Sequence, residues 1–401
     1  ITKDAQFAEF NFNYNKCEKI RSYHPYPEAS LSDLESAANL INEAKKPYIL
    51  VGQGVQLSGA ENELMRFAEK TGIPMAATLM GLSGISTSHP LYVGYLGMHG
   101  NYGPNIKTNE CDVLIAIGMR FDDRVTGDLD QYAKQAKVIH IEIDPSEIDK
   151  NVKATVAINC DAKQALLGLF PLVNVSTHEN WINEFHRCDE IEFNKVIDAD
   201  LHPDSGEIKM AEVINRISDE TDGEAIVVTD VGQHQMVANR YYKFRKTLSC
   251  ITSGGLGTMG FALPAAMGAK VGQPSRLVIA VIGDGGFQMT IQELGTIRQS
   301  DLAVKILILN NNFLGMVRQW QQLFFEKRYS FTELDNPDFQ MITKGYGIKA
   351  LKVEKREYLD QAIGDWLNCD GPALLEVVVE KEENVFPMVP SGASVSDIRL
   401  D

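Results

Sequence analysis

The sequence has few cysteines, no long apolar run and a deficit of basic residues, and each excludes a class of protein. Its six cysteines include no CxxC pair, which argues against a zinc site or a disulfide framework. The longest apolar stretches, such as 277–283, have the length of a buried strand, whereas a bilayer helix needs about 20 apolar residues. Thirty-eight basic against 54 acidic residues give a net charge of −16, which repels phosphate backbones and anionic lipid. We therefore expect a soluble protein of a reducing compartment, without nucleic-acid or membrane partners.

Short β-branched runs alternate with helical patterns in two stretches of the chain, which is typical of parallel α/β architecture. In the first stretch the runs are 48–52, 73–78, 92–96, 113–118, 138–144 and 155–161. In the second they are 225–230, 249–252, 277–284, 304–311 and 373–379. Each stretch predicts one doubly wound, Rossmann-like domain with a parallel sheet of about six strands.

Composition shifts predict the domain boundaries. Residues 1–30 are rich in aromatics and proline near residue 25, which favours an extended connector, and 31–175 form the first domain. Residues 176–206 are polar and acidic, which predicts a helix followed by a linker, and 207–380 form the second domain. The polar tail, 381–401, is either a mobile surface segment or an active-site lid.

The strongest motif lies where two apolar strands of the second domain end. Gly283, Asp284, Gly285 and Gly286 close one strand, and Asn311 closes the next, 27 residues after Asp284. Such glycines let backbone N–H groups approach a diphosphate, while carboxylate and amide oxygens suit Mg²⁺. Alone, each motif would be a turn or a loop, but the pair at this spacing predicts a metal-diphosphate site at the carboxyl edge of a sheet.

With this pair the sequence resembles the thiamine diphosphate enzymes. The resemblance implies Mg²⁺ ligands at Asp284, the Asn311 side chain and the Phe313 carbonyl. It also implies that Met259 supports the bent cofactor, although Met259 alone would be interpreted as core and His234 alone as structural. The other residues that it places around thiamine diphosphate are Gln233, His234, Gln235, Gly257, Gly283, Gly285, Gly286, Leu314, Gly315 and Met316.

The first domain carries weaker motifs: a GQG turn at 52–54 and the glycine-rich loops 96–101 and 118–127. Arg120 and Arg124 offer guanidinium groups to phosphate or carboxylate, although an ion-pair cluster on the surface would be the simpler interpretation. Glu142 follows a strand, where an acid can bond a ribose hydroxyl.

Taken together, four motifs resemble the catalytic subunits of the acetohydroxyacid synthase family, and the resemblance covers essentially the whole chain. The motifs are 97–100, 120–127, 255–260 and 311–330. This closer resemblance implies FAD on the first domain, without a net redox role. The implied contacts are Gly52, Gly54, Thr78, Leu79, Gly97, Met98, His99, Gly100, Gly118, Arg120, Asp122, Arg124, Glu142 and Asp161.

The activity that this resemblance implies is the first common step of branched-chain amino-acid biosynthesis. Pyruvate loses CO₂ on thiamine diphosphate, and the two-carbon unit is transferred to a second pyruvate or to 2-ketobutyrate. Arg124 would bind the acceptor carboxylate and Trp320 would shape the acceptor pocket, although a lone Trp on a helix is otherwise core. The alternatives are another thiamine-dependent 2-keto acid oxidase or decarboxylase, or a catalytically silent cofactor-binding module.

The family also has a further domain that binds the aminopyrimidine and supplies an activating Glu. The chain starts at Ile1 without Met, and no Glu in it can be assigned that role. We therefore expect a fragment that is inactive alone. The full-length enzyme is expected to be a homodimer with the cofactor at the subunit interface, to have a small regulatory subunit as a candidate partner, and to reside in the cytoplasm or a plastid.

Overall fold

The computed structural model describes residues 1–16 and 25–401. This part of the chain contains two six-stranded parallel sheets with helices on both faces, which confirms the predicted α/β class. The sheets are buried on both faces because crossover helices cover them, so their central strands are largely apolar. In residues 1–16 the chain forms a short helix, α1 (Lys3–Phe7).

All six strands predicted for the first sheet are present, in the order β3-β2-β1-β4-β5-β6. Ile49 in β1 pairs with Ile115 in β4 on one side and with Met75 in β2 on the other. The strands are β1 (Pro47–Val51), β2 (Met75–Ala77), β3 (Tyr92–Tyr95), β4 (Val113–Ile117), β5 (Lys137–Ile141) and β6 (Val156–Ile158). The helices are α2 (Leu31–Glu43), α3 (Gln53–Leu57), α4 (Glu61–Thr71), α5 (Tyr102–Thr108), α6 (Asp123–Thr126) and α7 (Ala162–Leu169).

The segment predicted as helix and linker forms a largely helical arm: α8 (Glu179–Glu192), a π-helical turn (Phe193–Ile197) and α9 (Asp198–Leu201). Its start packs on the first sheet. Trp181 Nε1 donates to the Pro47 carbonyl at 2.9 Å, and the Phe185 ring lies 5.2 Å from that of Tyr48. The domain boundary within 176–206 stays a prediction.

The second sheet has the order β11-β12-β10-β9-β7-β8 and contains all five predicted strands. The strands are β7 (Ile226–Thr229), β8 (Cys250–Thr252), β9 (Val278–Gly283), β10 (Val304–Asn310), β11 (Lys349–Val353) and β12 (Ala373–Val378). The helices are α10 (Met210–Glu220), α11 (Gln233–Tyr241), α12 (Ala262–Gly272), α13 (Asp284–Met289), α14 (Glu293–Gln299), α15 (Gly315–Phe324), α16 (Phe339–Gly345) and α17 (Leu359–Leu367). The sixth strand, β11, was not among the predicted runs.

The tail 381–401 is packed against both domains, whereas a mobile surface segment would have few buried residues. Val385, Met388 and Val389 are each at most 5% exposed, which explains why this segment holds its place. Gln319 in α15 donates to the Val385 carbonyl at 3.1 Å, and Ser394 bridges to Gly127 of the first domain. The alternative, a lid, stays a prediction.

Two expectations from composition can be compared with the described residues. None of their helices is long and apolar enough to cross a membrane. Their five cysteines are all free thiols, while Cys17 lies outside the described residues.

Candidate functional site

A cleft opens at the carboxyl edge of the second sheet. The chain runs from β7 outward to β8 and then returns to β9 on the other side of β7, so the strand order reverses between β7 and β9. Ligands of open α/β sheets bind at such a reversal. The loops after β7, β9 and β10 all contribute to the lining, together with Met210 and Met259.

Most residues that the sequence assigned to thiamine diphosphate meet in this cleft. They come from four separate segments, which only the fold brings together. Those that line it are Gln233, His234, Met259, Gly283, Asp284, Gly285, Gly286, Asn311, Phe313, Leu314, Gly315 and Met316.

Gln235 and Gly257 lie outside the cleft lining. Gln235 is two residues beyond Gln233 on α11, and a helix turns about 200° in that interval, so its side chain faces the sheet. There it donates to Thr252 Oγ1 at 2.7 Å. Gly257 lies in an exposed loop with φ +61°, and a Cβ added there would meet no heavy atom within 4 Å.

Close packing explains several glycines of the cleft. A Cβ on Gly315 would lie 2.1 Å from Gln233 Oε1, and one on Gly286 would lie 2.1 Å from Asp230 Oδ2. A Cβ on Gly283 would lie 2.8 Å from His234 Nδ1. These positions therefore bring backbone N–H groups and polar side chains together without intervening side-chain bulk.

Among the described residues that line the cleft, Asp284 is the only carboxylate, and it is 1% exposed. Burial raises the pKa of Asp284 to about 6, against the opposing effect of the hydrogen bond from Asn336. Asn336 Nδ2 donates to Asp284 Oδ2 at 2.7 Å and also reaches the side-chain oxygens of Asn310 and Asn312, at 3.2 and 3.0 Å. Sequence reasoning missed Asn336, whose only signal is an Asn-Pro pair in an irregular loop.

Asn311 follows the neighbouring strand, as predicted. Leu309 pairs with Gly283, so the residues after β9 and β10 emerge side by side. Asn311 Nδ2 donates to Gln233 Oε1 at 3.3 Å, and its Oδ1 accepts from the Phe313 N–H at 3.2 Å. Among the described residues no three His, Cys, Asp or Glu side chains form a metal-ligand cluster. The predicted set of one carboxylate, one amide and one backbone carbonyl is of a different kind and stays a prediction.

His234 supplies an unpartnered polar atom beside the cleft. The residue is 6% exposed, and its buried Nε2 has no hydrogen-bond partner. Burial lowers the pKa of His234 to about 3, so the ring is neutral near pH 7 and can offer one N–H. A phosphate oxygen would satisfy that group, so this observation fits a diphosphate in the cleft.

The residues assigned to FAD follow the carboxyl ends of the six strands of the first sheet, but several have roles in the fold itself. A Cβ on Gly52 would lie 2.2 Å from the Gly118 oxygen, and one on Gly118 would lie 2.6 Å from Gly54 Cα. Asp122 and Asp161 accept backbone N–H groups as the N-caps of α6 and α7. These contacts explain the residues without a ligand, so the structure supplies no independent fit to a flavin.

The rest of the assigned set is held by similar local contacts. Thr78 Oγ1 accepts from the Gly81 N–H at 3.1 Å, next to Leu79, and Glu142 accepts from the Asp144 N–H at 3.1 Å. Arg120 lies 3.4 Å from Asp122, the surface ion pair that the simpler interpretation predicted.

A second cavity lies between the first domain and the tail. Met98, Arg124 and Gly127 line one side, and Val389, Pro390 and neighbouring tail residues line the other. In the part of the chain that the structure describes, Arg124 is its only basic lining residue. Its side chain is 64% exposed and lies 3.9 Å from Asp123.

Trp320 stacks on Phe324, with ring centroids 4.8 Å apart, and lines neither of these two cavities. Within the described part of the chain, the structure therefore does not bring Trp320 and Arg124 into one cavity.

Comparison with known proteins matches both domains. Residues 34–169 match the family described as "Thiamine pyrophosphate enzyme, central domain", and 230–377 match "Thiamine pyrophosphate enzyme, C-terminal TPP binding domain". The chain is 42% identical over 399 residues to the acetolactate synthase isozyme 2 large subunit of Escherichia coli, covering 99% of this chain and 71% of that protein.

Two further relatives show the same similarity. The acetolactate synthase large subunit of Lactococcus lactis is 42% identical over 98% of this chain and 68% of its own length. The chloroplastic acetolactate synthase 1 of Zea mays is 41% identical over 92% of this chain and 59% of its own length. The chain covers two thirds or more of both bacterial relatives at 42% identity. It therefore belongs to the acetolactate synthase large-subunit family of thiamine pyrophosphate enzymes.

Proposed function

We propose that this chain carries the cofactor-binding machinery of an acetolactate synthase. The reaction joins two molecules of pyruvate to give 2-acetolactate and CO₂, or pyruvate and 2-ketobutyrate to give 2-aceto-2-hydroxybutyrate and CO₂. The observation that carries the proposal is the cleft at the carboxyl edge of the second sheet, where the predicted diphosphate and metal residues converge from four segments. The proposed reaction is the first common step in the biosynthesis of valine, leucine and isoleucine.

Different residues around the cleft are proposed to bind the diphosphate and the metal ion. Backbone N–H groups at 283–286 and the free His234 Nε2 would hold the diphosphate. Asp284, the Asn311 side chain and the Phe313 carbonyl would hold Mg²⁺, which completes its shell with phosphate oxygens and water. Thiamine diphosphate, when bound, supplies the electron sink that makes the loss of CO₂ from pyruvate feasible.

Other residues of the chain would shield the cofactor from water and orient the side chain of Asn311. Met259, Leu314 and Met316 give the cleft an apolar wall that would support the cofactor rings and exclude water. Gln233 is fixed by its donation to Gln319 Oε1 at 2.9 Å and to the Glu383 carbonyl at 2.7 Å. From that position it accepts from Asn311 and fixes the orientation of the amide that is proposed to face the metal.

The acceptor keto acid is proposed to bind at the second cavity. Its carboxylate needs a cation, and Arg124 is a basic residue that lines this cavity. Trp320 is proposed to contact the alkyl group of the acceptor.

In the described part of the chain, Trp320 and Arg124 do not lie in one cavity. We therefore place the complete site between two subunits of a homodimer. Two apolar side chains next to cleft-lining segments, Leu256 at 93% and Phe331 at 100% exposure, support a partner surface there.

Two further groups are proposed from outside this chain. No glutamate is among the described residues that line the cleft, so the acid that activates the aminopyrimidine is proposed to lie outside the 401 residues. FAD is proposed on the carboxyl edge of the first sheet by family resemblance alone, and no step is assigned to it.

The relatives' names support a small regulatory subunit and, for the plant relative, a plastid location. The free thiols of the described residues support the cytoplasm as the alternative compartment.

The test is a product assay with pyruvate, thiamine diphosphate, Mg²⁺ and FAD. We expect acetolactate from the product of the complete gene and none from the 401-residue chain alone. Asp284→Asn should abolish the product in the complete enzyme. Acetaldehyde as the sole product would favour a decarboxylase, and flavin reduction by pyruvate would favour an oxidase. Robust turnover by the chain alone would contradict the proposal that an activating acid is missing.

A further inference from the structure

A fully buried ion pair connects the helical arm to the second domain. Arg240 lies near the end of α11, Glu192 ends α8, and both side chains are 1% exposed. The Arg240 Nη1 donates to Glu192 Oε1, and its Nη2 donates to the carbonyls of His99 and Gly100, at 2.6 and 2.9 Å. Neither charged residue lines the cleft or the second cavity. The pair therefore does not contact a ligand in either place.

Glu192 holds the same loop from the other side. Its Oε1 accepts from Asn101 Nδ2 at 3.0 Å, and its Oε2 accepts from the Tyr102 N–H at 2.6 Å, at the start of α5. The Tyr95 hydroxyl adds a further hydrogen bond to the His99 carbonyl. The loop 97–102 is thus fixed by side chains from two other parts of the fold.

This loop in turn fixes the wall of the second cavity. The Met98 N–H donates to the Arg124 carbonyl at 2.8 Å, and the Val389 N–H donates to the Met98 carbonyl at 2.7 Å. Met98, Arg124 and Val389 all line that cavity. A continuous series of hydrogen bonds therefore runs from Arg240 through the loop to Arg124 and to the tail.

A buried ion pair is weak support for a purely stabilising role, because apolar residues of similar volume are often as stable or more so. A charged pair that also occupies two backbone carbonyls and one N–H does something that apolar residues cannot: it fixes a loop conformation. Arg240 lies two turns after Gln233 on α11, so the helix that begins at the cleft also carries the residue that holds this loop.

We propose that Arg240 and Glu192 are positioning residues for the acceptor cavity: they fix the loop 97–102 and, through it, Met98 and Arg124. The ligand concerned is the carboxylate of a 2-keto acid. This inference rests on the proposed function for the assignment of Arg124 to that carboxylate. The hydrogen-bonded coupling between Arg240 and the cavity wall does not depend on it.

The test compares Arg240→Gln with Arg240→Gln/Glu192→Gln. The single variant leaves a buried carboxylate without its cation and could fail to fold, whereas the double variant removes both charges and retains hydrogen-bonding amides. The control is Arg245→Gln, which breaks the exposed pair of Arg245 with Asp222 in the same domain.

The first measurement is hydrogen exchange in the 401-residue chain, which needs no turnover. In the double variant we expect amide exchange in 97–102 and at Met388 and Val389 to rise about tenfold or more, with the sheet strands unchanged. The affinity for thiamine diphosphate with Mg²⁺ should stay within about twofold. Unchanged exchange in the loop and tail would overturn the proposal, and so would an equal rise across the whole second domain.

The second measurement is acceptor kinetics in the complete enzyme. The double variant should raise the acceptor KM about tenfold while kcat changes less than about threefold. In an Arg124→Gln background the same change should have little further effect on KM, since both act through one group. An unchanged KM would overturn the role in acceptor positioning. An enzyme that makes no acetolactate at all would overturn the proposed function instead, with the exchange result still deciding the coupling.

Discussion

Gly315→Ala tests the link between Gln233 and the proposed metal ligand Asn311. The added Cβ would lie 2.1 Å from Gln233 Oε1 and 2.7 Å from Asn311 Nδ2. Both atoms belong to side chains that can move, so we expect Gln233 to rotate away and the backbone of α15 to stay in place. The substitution should therefore disconnect the two amides without unfolding the helix.

The expected change in stability follows from the contacts. Gln233 would lose three hydrogen bonds, to Asn311, Gln319 and the Glu383 carbonyl, worth about 1 kcal/mol each. The Gln319 oxygen still accepts from Val385, so it is not left unsatisfied. Alanine in place of glycine at a helical position contributes about 1 kcal/mol of stabilisation. The net result is a loss of about 2 kcal/mol, or a fall in Tm of about 4–8 °C for a domain of this size.

The decisive assay is the affinity for thiamine diphosphate at saturating Mg²⁺. Loss of a residue that orients a metal ligand typically costs about 10- to 100-fold in affinity, so we expect at least a tenfold rise in Kd. The matched control is Gly268→Ala in α12, where an added Cβ meets no atom within 4 Å. It should be about 1 kcal/mol more stable with unchanged affinity. If Gly315→Ala bound the cofactor like the parent chain, Gln233 would not orient Asn311.

Three further outcomes are expected. Burial raises the pKa of Glu383 from 4.5 to about 7. The free energy of unfolding should therefore fall by up to about 3 kcal/mol as the pH rises from 4.5 to about 7, because the native state favours the protonated acid. In urea titrations, Glu383→Gln should remove this pH dependence. Gly118→Ala, at φ +59° and with its Cβ 2.6 Å from Gly54 Cα, should cost about 2 kcal/mol or more by the same titration, whereas an unchanged midpoint would contradict the packing argument. In the complete enzyme, Trp320→Leu should still form acetolactate, but its preference for 2-ketobutyrate over pyruvate, measured by the product ratio, should fall about tenfold or more. A retained product ratio would show that Trp320 is a packing residue.

The strands that sequence could predict are those buried on both faces. The four residues of β10 from Ile306 to Leu309, for example, form one apolar run that is buried throughout. The missed strand, β11, is at the edge of its sheet and has exposed lysines at 349 and 352 among its five residues. A five-residue edge strand with polar positions has too few apolar residues to be recognised by the same pattern.

The site was predictable where a motif lies at the end of a strand, because parallel strands deliver such residues to one edge. Asp284 and Asn311 follow neighbouring strands for that reason. Gln235 was misplaced because three consecutive residues on a helix cannot all face one cleft. Asn336 and Glu383 reach the site from an irregular loop and from the tail, through contacts that no local periodicity encodes.

The central claim is that the cleft binds thiamine diphosphate through a metal held by Asp284. Calorimetric titration of thiamine diphosphate into the 401-residue chain, with and without Mg²⁺, tests it most directly. The account predicts Mg²⁺-dependent binding that Asp284→Asn abolishes. Asp301→Asn, an exposed acid at the opposite end of β10, should leave it unchanged. Binding that is equally tight without Mg²⁺, or equally tight in Asp284→Asn, would contradict the account.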